Sequence, residues 1–121
     1  MDYNSGSKWR RWDLHIHTPG TKKNSQFSGR TIDEQWDNFY KDILNYISSD
    51  DENKKVAVLG ITDYFSIDNY RKIVSDAVIT TKFALILPNI EMRAIPVSSQ
   101  SALNIHLICN PDFVSQLDSN L

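Results

Sequence analysis

His15 and His17, in the stretch Trp12-Asp13-Leu14-His15-Ile16-His17-Thr18-Pro19, are the residues of this chain whose type and spacing best suit chemistry. In a strand, positions i and i+2 face the same way, so the two imidazoles are able to bind one metal ion while Leu14 and Ile16 face an apolar layer. Asp13 places a carboxylate beside them. Neutral imidazoles and carboxylates suit zinc, manganese or iron. Two ordinary histidines on a half-exposed strand would give the same pattern, so the remaining polar residues decide between the readings. Asp63, Glu91 and His106 are the candidates. Taken singly, Asp63 reads as a turn or cap residue, Glu91 as a surface carboxylate and His106 as a hydrogen-bonded core histidine.

Positioning such a cluster requires strands that end at one rim, and the chain reads as strand and helix in alternation. After the first strand, residues 18–30 form a polar loop with Pro19, Gly20, Gly29, Lys22, Lys23 and Arg30. Thr31 and Glu34 make a capping box, and Ile32, Trp36, Phe39, Tyr40, Ile43, Leu44 and Ile47 then recur at helical spacing. The acidic stretch 48–53 is a solvated turn. Val56 to Thr62 is an unbroken apolar run, as in a strand buried on both faces. A helix from Ser66 to Val78 follows, then a strand from Phe83 to Leu87 that leads through Pro88 to Glu91. A fourth strand, Asn104 to Cys109, carries His106, and Asn110-Pro111-Asp112 caps a last helix. This order predicts an α/β fold with a mostly parallel sheet, in which His15, His17, Glu91 and His106 converge at the carboxyl ends of the strands.

Composition narrows the classes. The chain has 121 residues, 40% apolar and 11% aromatic, which fits one domain. A net charge of -2 argues against a generally basic nucleic-acid binder, and the single cysteine, Cys109, excludes an internal disulfide framework. No apolar run is long enough to span a bilayer and the polar N-terminus does not resemble a signal peptide, so the expected location is the cytoplasm with no membrane partner. Residues 1–8 read as a flexible N-terminus and 9–121 as the domain. Trp9, Arg10, Arg11 and Trp12 could stack on nucleic acid, but a tryptophan packed beneath the sheet beside two exposed arginines is the preferred expectation.

Four segments resemble the PHP (polymerase and histidinol phosphatase) domains. Asp13-Leu14-His15-Ile16-His17-Thr18 looks like the family's first motif, Gly60-Ile61-Thr62-Asp63-Tyr64 its second, Pro88-Asn89-Ile90-Glu91 its third, and His106-Leu107-Ile108 its histidine-led strand. The resemblance runs from Trp12 to Asp112. The tryptophan-rich start and the Thr-Asp-Tyr-Phe variant are similar to PHP domains fused to bacterial SMC-like ATPases. The resemblance implies a distorted seven-stranded barrel binding two or three metal ions, with phosphoester hydrolysis as its chemistry. The metal ligands it implies are His15, His17, Glu91 and His106.

Three departures stand out. Tyr64 occupies the place of a metal-binding histidine, the loop after His17 lacks a further ligand, and the family's last strands have no counterpart before Leu121. The chain therefore reads as the first half of such a domain, with the C-terminal strands missing and an ATPase region in the parent protein. In the intact parent the metal would activate water, with Glu91 bridging and Asp63 taking a proton or orienting a ligand. Asp13, Asp63 and Tyr64 would support the ligands. Lys22, Lys23 and Arg30 would hold substrate phosphates, against their ordinary reading as solvated loop residues. The alternative is a degenerate module that binds metal, nucleic acid or a partner without catalysis. Weak activity and self-association through an open sheet edge are expected of the chain alone.

Overall fold

The computed structural model describes residues 10–21, 27–95 and 101–117. Its elements are β1 (Arg11–Ile16), α1 (Ile32–Asn45), β2 (Val56–Tyr64), α2 (Asp68–Val74), α3 (Ala77–Thr80), β3 (Leu85–Ala94), β4 (Leu103–Ile108), a 3-10 turn (Pro111–Phe113) and α4 (Val114–Leu117). The four strands form one sheet in the order β1-β2-β3-β4. β2 lies between β1 and β3 and is parallel to both, and eight of its nine residues are buried. That is the physical content of its unbroken apolar run. Leu59, Ile61, Ile73 and Ile90 are at most 1% exposed and form the centre of the core, joined by Phe39 and Ile43 from α1.

The expectation of a mostly parallel sheet holds for β1, β2 and β3 but not for β4, which is antiparallel to β3. Residues 95–102 explain why, because a parallel crossover needs roughly a dozen residues or more and only a reversal fits so short a link. β3 also runs further than Leu87, through Pro88 and Glu91 to Ala94. Pro88 is tolerated because it sits at the end of the β4 ladder, where its carbonyl still accepts from the Cys109 N–H at 3.0 Å and only the reciprocal N–H is missing. Glu91 and Asp63 consequently lie within strands rather than just past them.

The single helix expected after Ser66 is two. Asp76 accepts from the Val78 and Ile79 N–H groups at 2.9 and 3.2 Å and starts α3 afresh. Ser66 Oγ accepts from Asp68 N at the approach to α2. The capping box of α1 forms with a small displacement: Glu34 N donates to Thr31 Oγ1, while the Glu34 carboxylate accepts from Arg30 N instead of from the cap residue. Trp12 is 61% exposed, so it does not pack beneath the sheet, and Arg10 and Arg11 are exposed as expected. Trp9 lies outside the described residues. Among those described, no helix is long and apolar enough to cross a membrane.

Candidate metal centre

The site is a row of side chains running across the sheet. Register sets Glu91 of β3 directly between Tyr64 of β2 and His106 of β4. Cross-strand partners share a face, so these three lie side by side. β1 reaches the same row by an irregularity between Asp13 and Ile16, where three residues pass against two of β2. The extra residue re-aims the strand end in the manner of a bulge. Gly60 makes it possible: a Cβ there would lie 2.3 Å from the Leu14 carbonyl oxygen. Ile16 turns into the core, while His15 and His17 face the row.

Three ligand atoms meet at the centre. His15 Nε2 and His17 Nε2 are 3.0 Å apart, and they lie 3.6 and 3.2 Å from Glu91 Oε2. Glu91 is 2% exposed, yet its Oε2 has no hydrogen-bond donor, and the buried Nδ1 of His17 has no partner either. A buried carboxylate oxygen without a donor is costly in isolation. The three atoms suit a cation instead. Their separations define a triangle whose centre is about 1.9 Å from each corner, close to the roughly 2.0–2.2 Å of zinc bonds to imidazole nitrogen and carboxylate oxygen. The group His15, His17 and Glu91 could therefore hold a metal ion.

The surrounding residues fix these atoms. Asp13 accepts from the His15 backbone N–H at 3.2 Å, and the Tyr46 phenol has its pKa pushed up by burial first and by the Asp13 carboxylate next. Tyr64 stacks on His17, with ring centroids 5.5 Å apart and planes at 21°. A cleft of ≈ 440 Å³ opens beside the imidazoles, walled by Phe39, Ile43 and Tyr46 and bordered by Asp13 and Asp42. The backbone leaves the site sharply after Tyr64. Phe65 adopts a left-handed conformation (φ 50°), and its N–H donates to the Glu91 carbonyl at 3.2 Å. A bulky residue in that region is a strained one, held by its surroundings.

Of the four expected ligands, the structure brings three together. His106 is beside them, its ring centroid 4.5 Å from that of His15, but outside the group of three. Asp63 is set apart from Glu91. It pairs with the core residue Ile90, and its Oδ2 accepts from the side chain and backbone of Asn69. Burial raises its pKa, the Asn69 hydrogen bonds oppose that rise, and the His17 imidazole is the weakest influence upon it. Arg30 is exposed at the start of α1 and is not among the described residues lining the cleft. Lys22 and Lys23 lie outside the described residues.

Asn89 was not singled out by sequence reasoning. It is 2% exposed and joins three strands, donating to Leu14 O at 2.7 Å and Thr62 Oγ1 at 3.1 Å and bonding His106 Nδ1 at 3.2 Å. Its signal in the sequence was an amide inside an apolar strand, two residues from Glu91 and so on the same face. Comparison with protein-family models, curated proteins and solved structures finds no match to this chain.

Proposed function

We propose that this chain carries a metal centre for phosphoester hydrolysis, with His15, His17 and Glu91 as ligands of a zinc, manganese or iron ion. The observation that carries the reading is the buried Glu91 oxygen with no donor, faced by two imidazole nitrogens. A bound divalent ion supplies a water of lowered pKa and neutralises charge on a phosphoryl oxygen. Asp13 holds the His15 backbone, and the Tyr64 ring holds His17 against rotation. The adjoining cleft, with its aromatic and aliphatic walls, receives the organic part of the ester and keeps water away from it. On this reading the four-stranded sheet is the first half of a PHP-type barrel, within a parent protein that includes an ATPase region, and nucleic acid is one class of phosphoester it would meet.

Tyr64 favours a second reading, a module that binds metal without turnover, because a phenol stacked on His17 stands where the PHP motif has a ligating histidine. Hydrolysis of a chromogenic phosphodiester with added manganese separates the two. The first reading expects slow hydrolysis that chelator stops and that His15→Ala abolishes. No hydrolysis, with metal still bound, supports the second. Hydrolysis indifferent to chelator and to His15→Ala contradicts the first.

A further inference from the structure

We propose that Asn89 is a positioning residue that locks His106 in the tautomer with its proton on Nδ1, leaving Nε2 as the lone-pair nitrogen of a ring that borders the candidate metal centre. The proposal rests on the metal-centre reading above for its use, but not for its chemistry.

The direction of every hydrogen bond in this network follows from two backbone carbonyls. Leu14 O and Gly60 O can only accept. Thr62 Oγ1 donates its proton to Gly60 O at 3.3 Å, so it can only accept from Asn89. The Asn89 Nδ2 group thus donates both its protons, to Leu14 O and to Thr62 Oγ1. Its Oδ1 is left to face His106 Nδ1 at 3.2 Å, and an amide oxygen only accepts. His106 Nδ1 must therefore carry the proton. Reversing the amide would set an oxygen against the Leu14 carbonyl.

The consequence falls on the other side of the ring. Histidine side chains free in water favour a proton on Nε2, which would leave no lone pair there for a metal. With Nδ1 as donor to Asn89, Nε2 is the lone-pair atom, on a ring packed edge-on against His15 at 4.5 Å and 61°. Metal-binding histidines are oriented in this way by an acceptor on the far nitrogen. The same amide also holds Leu14, the residue between Asp13 and His15 where β1 departs from regular register. One buried side chain thereby sets both the strand end that bears His15 and His17 and the tautomer of His106.

The chain has three histidines in all, so long-range ¹H–¹⁵N correlation of the ¹⁵N-labelled protein resolves them, with His→Gln variants for assignment. In chelator, at a pH where the rings are neutral, the expected result is His106 as a single tautomer protonated at Nδ1. A proton on Nε2, or averaging between the two forms, overturns the proposal. Asn89→Asp and Asn89→Ala both lose the bond to Leu14, but only aspartate keeps an acceptor for His106. Asn89→Asp should therefore retain the tautomer and Asn89→Ala should lose it, whereas equal loss in both overturns the role given to the amide oxygen. If Asn89→Ala does not fold, the wild-type and Asn89→Asp spectra decide. Titration with Zn²⁺ then tests the centre apart from the tautomer, with a shift of the His106 Nε2 resonance expected alongside those of His15 and His17. A shift of His15 and His17 alone overturns the part given to His106 and leaves the centre standing. No shift in any of the three overturns the metal centre, while a tautomer lock already read in chelator still supports the role of Asn89.

Discussion

Glu91 is the residue on which the site turns, because its position is costly unless a cation fills it. Its Oε2 is buried without a donor, and two imidazole nitrogens lie 3.2 and 3.6 Å from it. Glu91→Gln should therefore stabilise the protein in chelator by about 1 kcal/mol, since an amide can donate to an imidazole lone pair where a carboxylate cannot. The same variant should bind Zn²⁺ at least about tenfold more weakly. Urea unfolding in chelator and a metal titration measure the two effects, and a variant less stable than wild type that binds zinc equally well would contradict the assignment. Asp63 makes a different prediction. Its folded-state pKa is raised, chiefly by burial, so the folded chain keeps a proton that the unfolded chain has released. Its contribution to folding is present below the ordinary carboxylate value and is lost as pH rises through the folded value. Acidification across that interval should therefore stabilise wild type relative to Asp63→Asn. Unfolding curves of both proteins through the acid range test this, and a relative loss by wild type on acidification would be the contrary result.

One element walls the cleft and another carries a candidate ligand. α1 builds the cleft wall with Phe39 and Ile43, and its first turn depends on the Thr31 cap. Thr31→Ala should cost about 1 kcal/mol in urea unfolding without altering zinc affinity. β1 depends on Gly60, where an added Cβ would meet the Leu14 backbone. Gly60→Ala should cost about 3 kcal/mol and weaken zinc binding as well, because the strand end bearing both histidines must move. A stable Gly60→Ala protein with wild-type zinc affinity would show that this close approach does not position the ligands. These elements also show where sequence was readable. The Thr31 cap and the β2 run were legible because they rest on local chemistry, a hydroxyl three residues before a carboxylate and an apolar stretch of strand length. His15 and His17 were legible as candidate ligands because strand alternation carries side-chain direction, whereas Glu91 was read as lying past its strand and entered only through the convergence of strand ends and the PHP resemblance. The reversal of β4 was encoded in the short link before it, but a search for strands at one rim favours parallel order. The irregular strand end at Leu14 and the anchoring by Asn89 are long-range: they pair residues 75 positions apart, and no local pattern announces such a contact.

At the scale of the molecule, the sheet ends in β4, whose six residues are all exposed, with Leu103, Ile105 and Leu107 between 42% and 55% accessible. An exposed edge strand of this composition is a template for pairing with a second copy of the chain. Sedimentation at rising concentration should show association that Ile105→Lys reduces, and a wild-type chain that stays monomeric throughout would contradict it. The metal centre is spread over the same sheet. Its candidate ligands are His15 in β1, His17 just past the end of β1 and Glu91 in β3, with β2 between, so an ion held there would tie together strands that are not neighbours. Calorimetric titration of Zn²⁺ into wild type and the His15→Ala/His17→Ala double variant tests this central claim most directly. Wild type should take up about one ion per chain, and the folded double variant should bind at least about tenfold more weakly. Equal zinc binding by the two proteins, or none by wild type, would contradict the account.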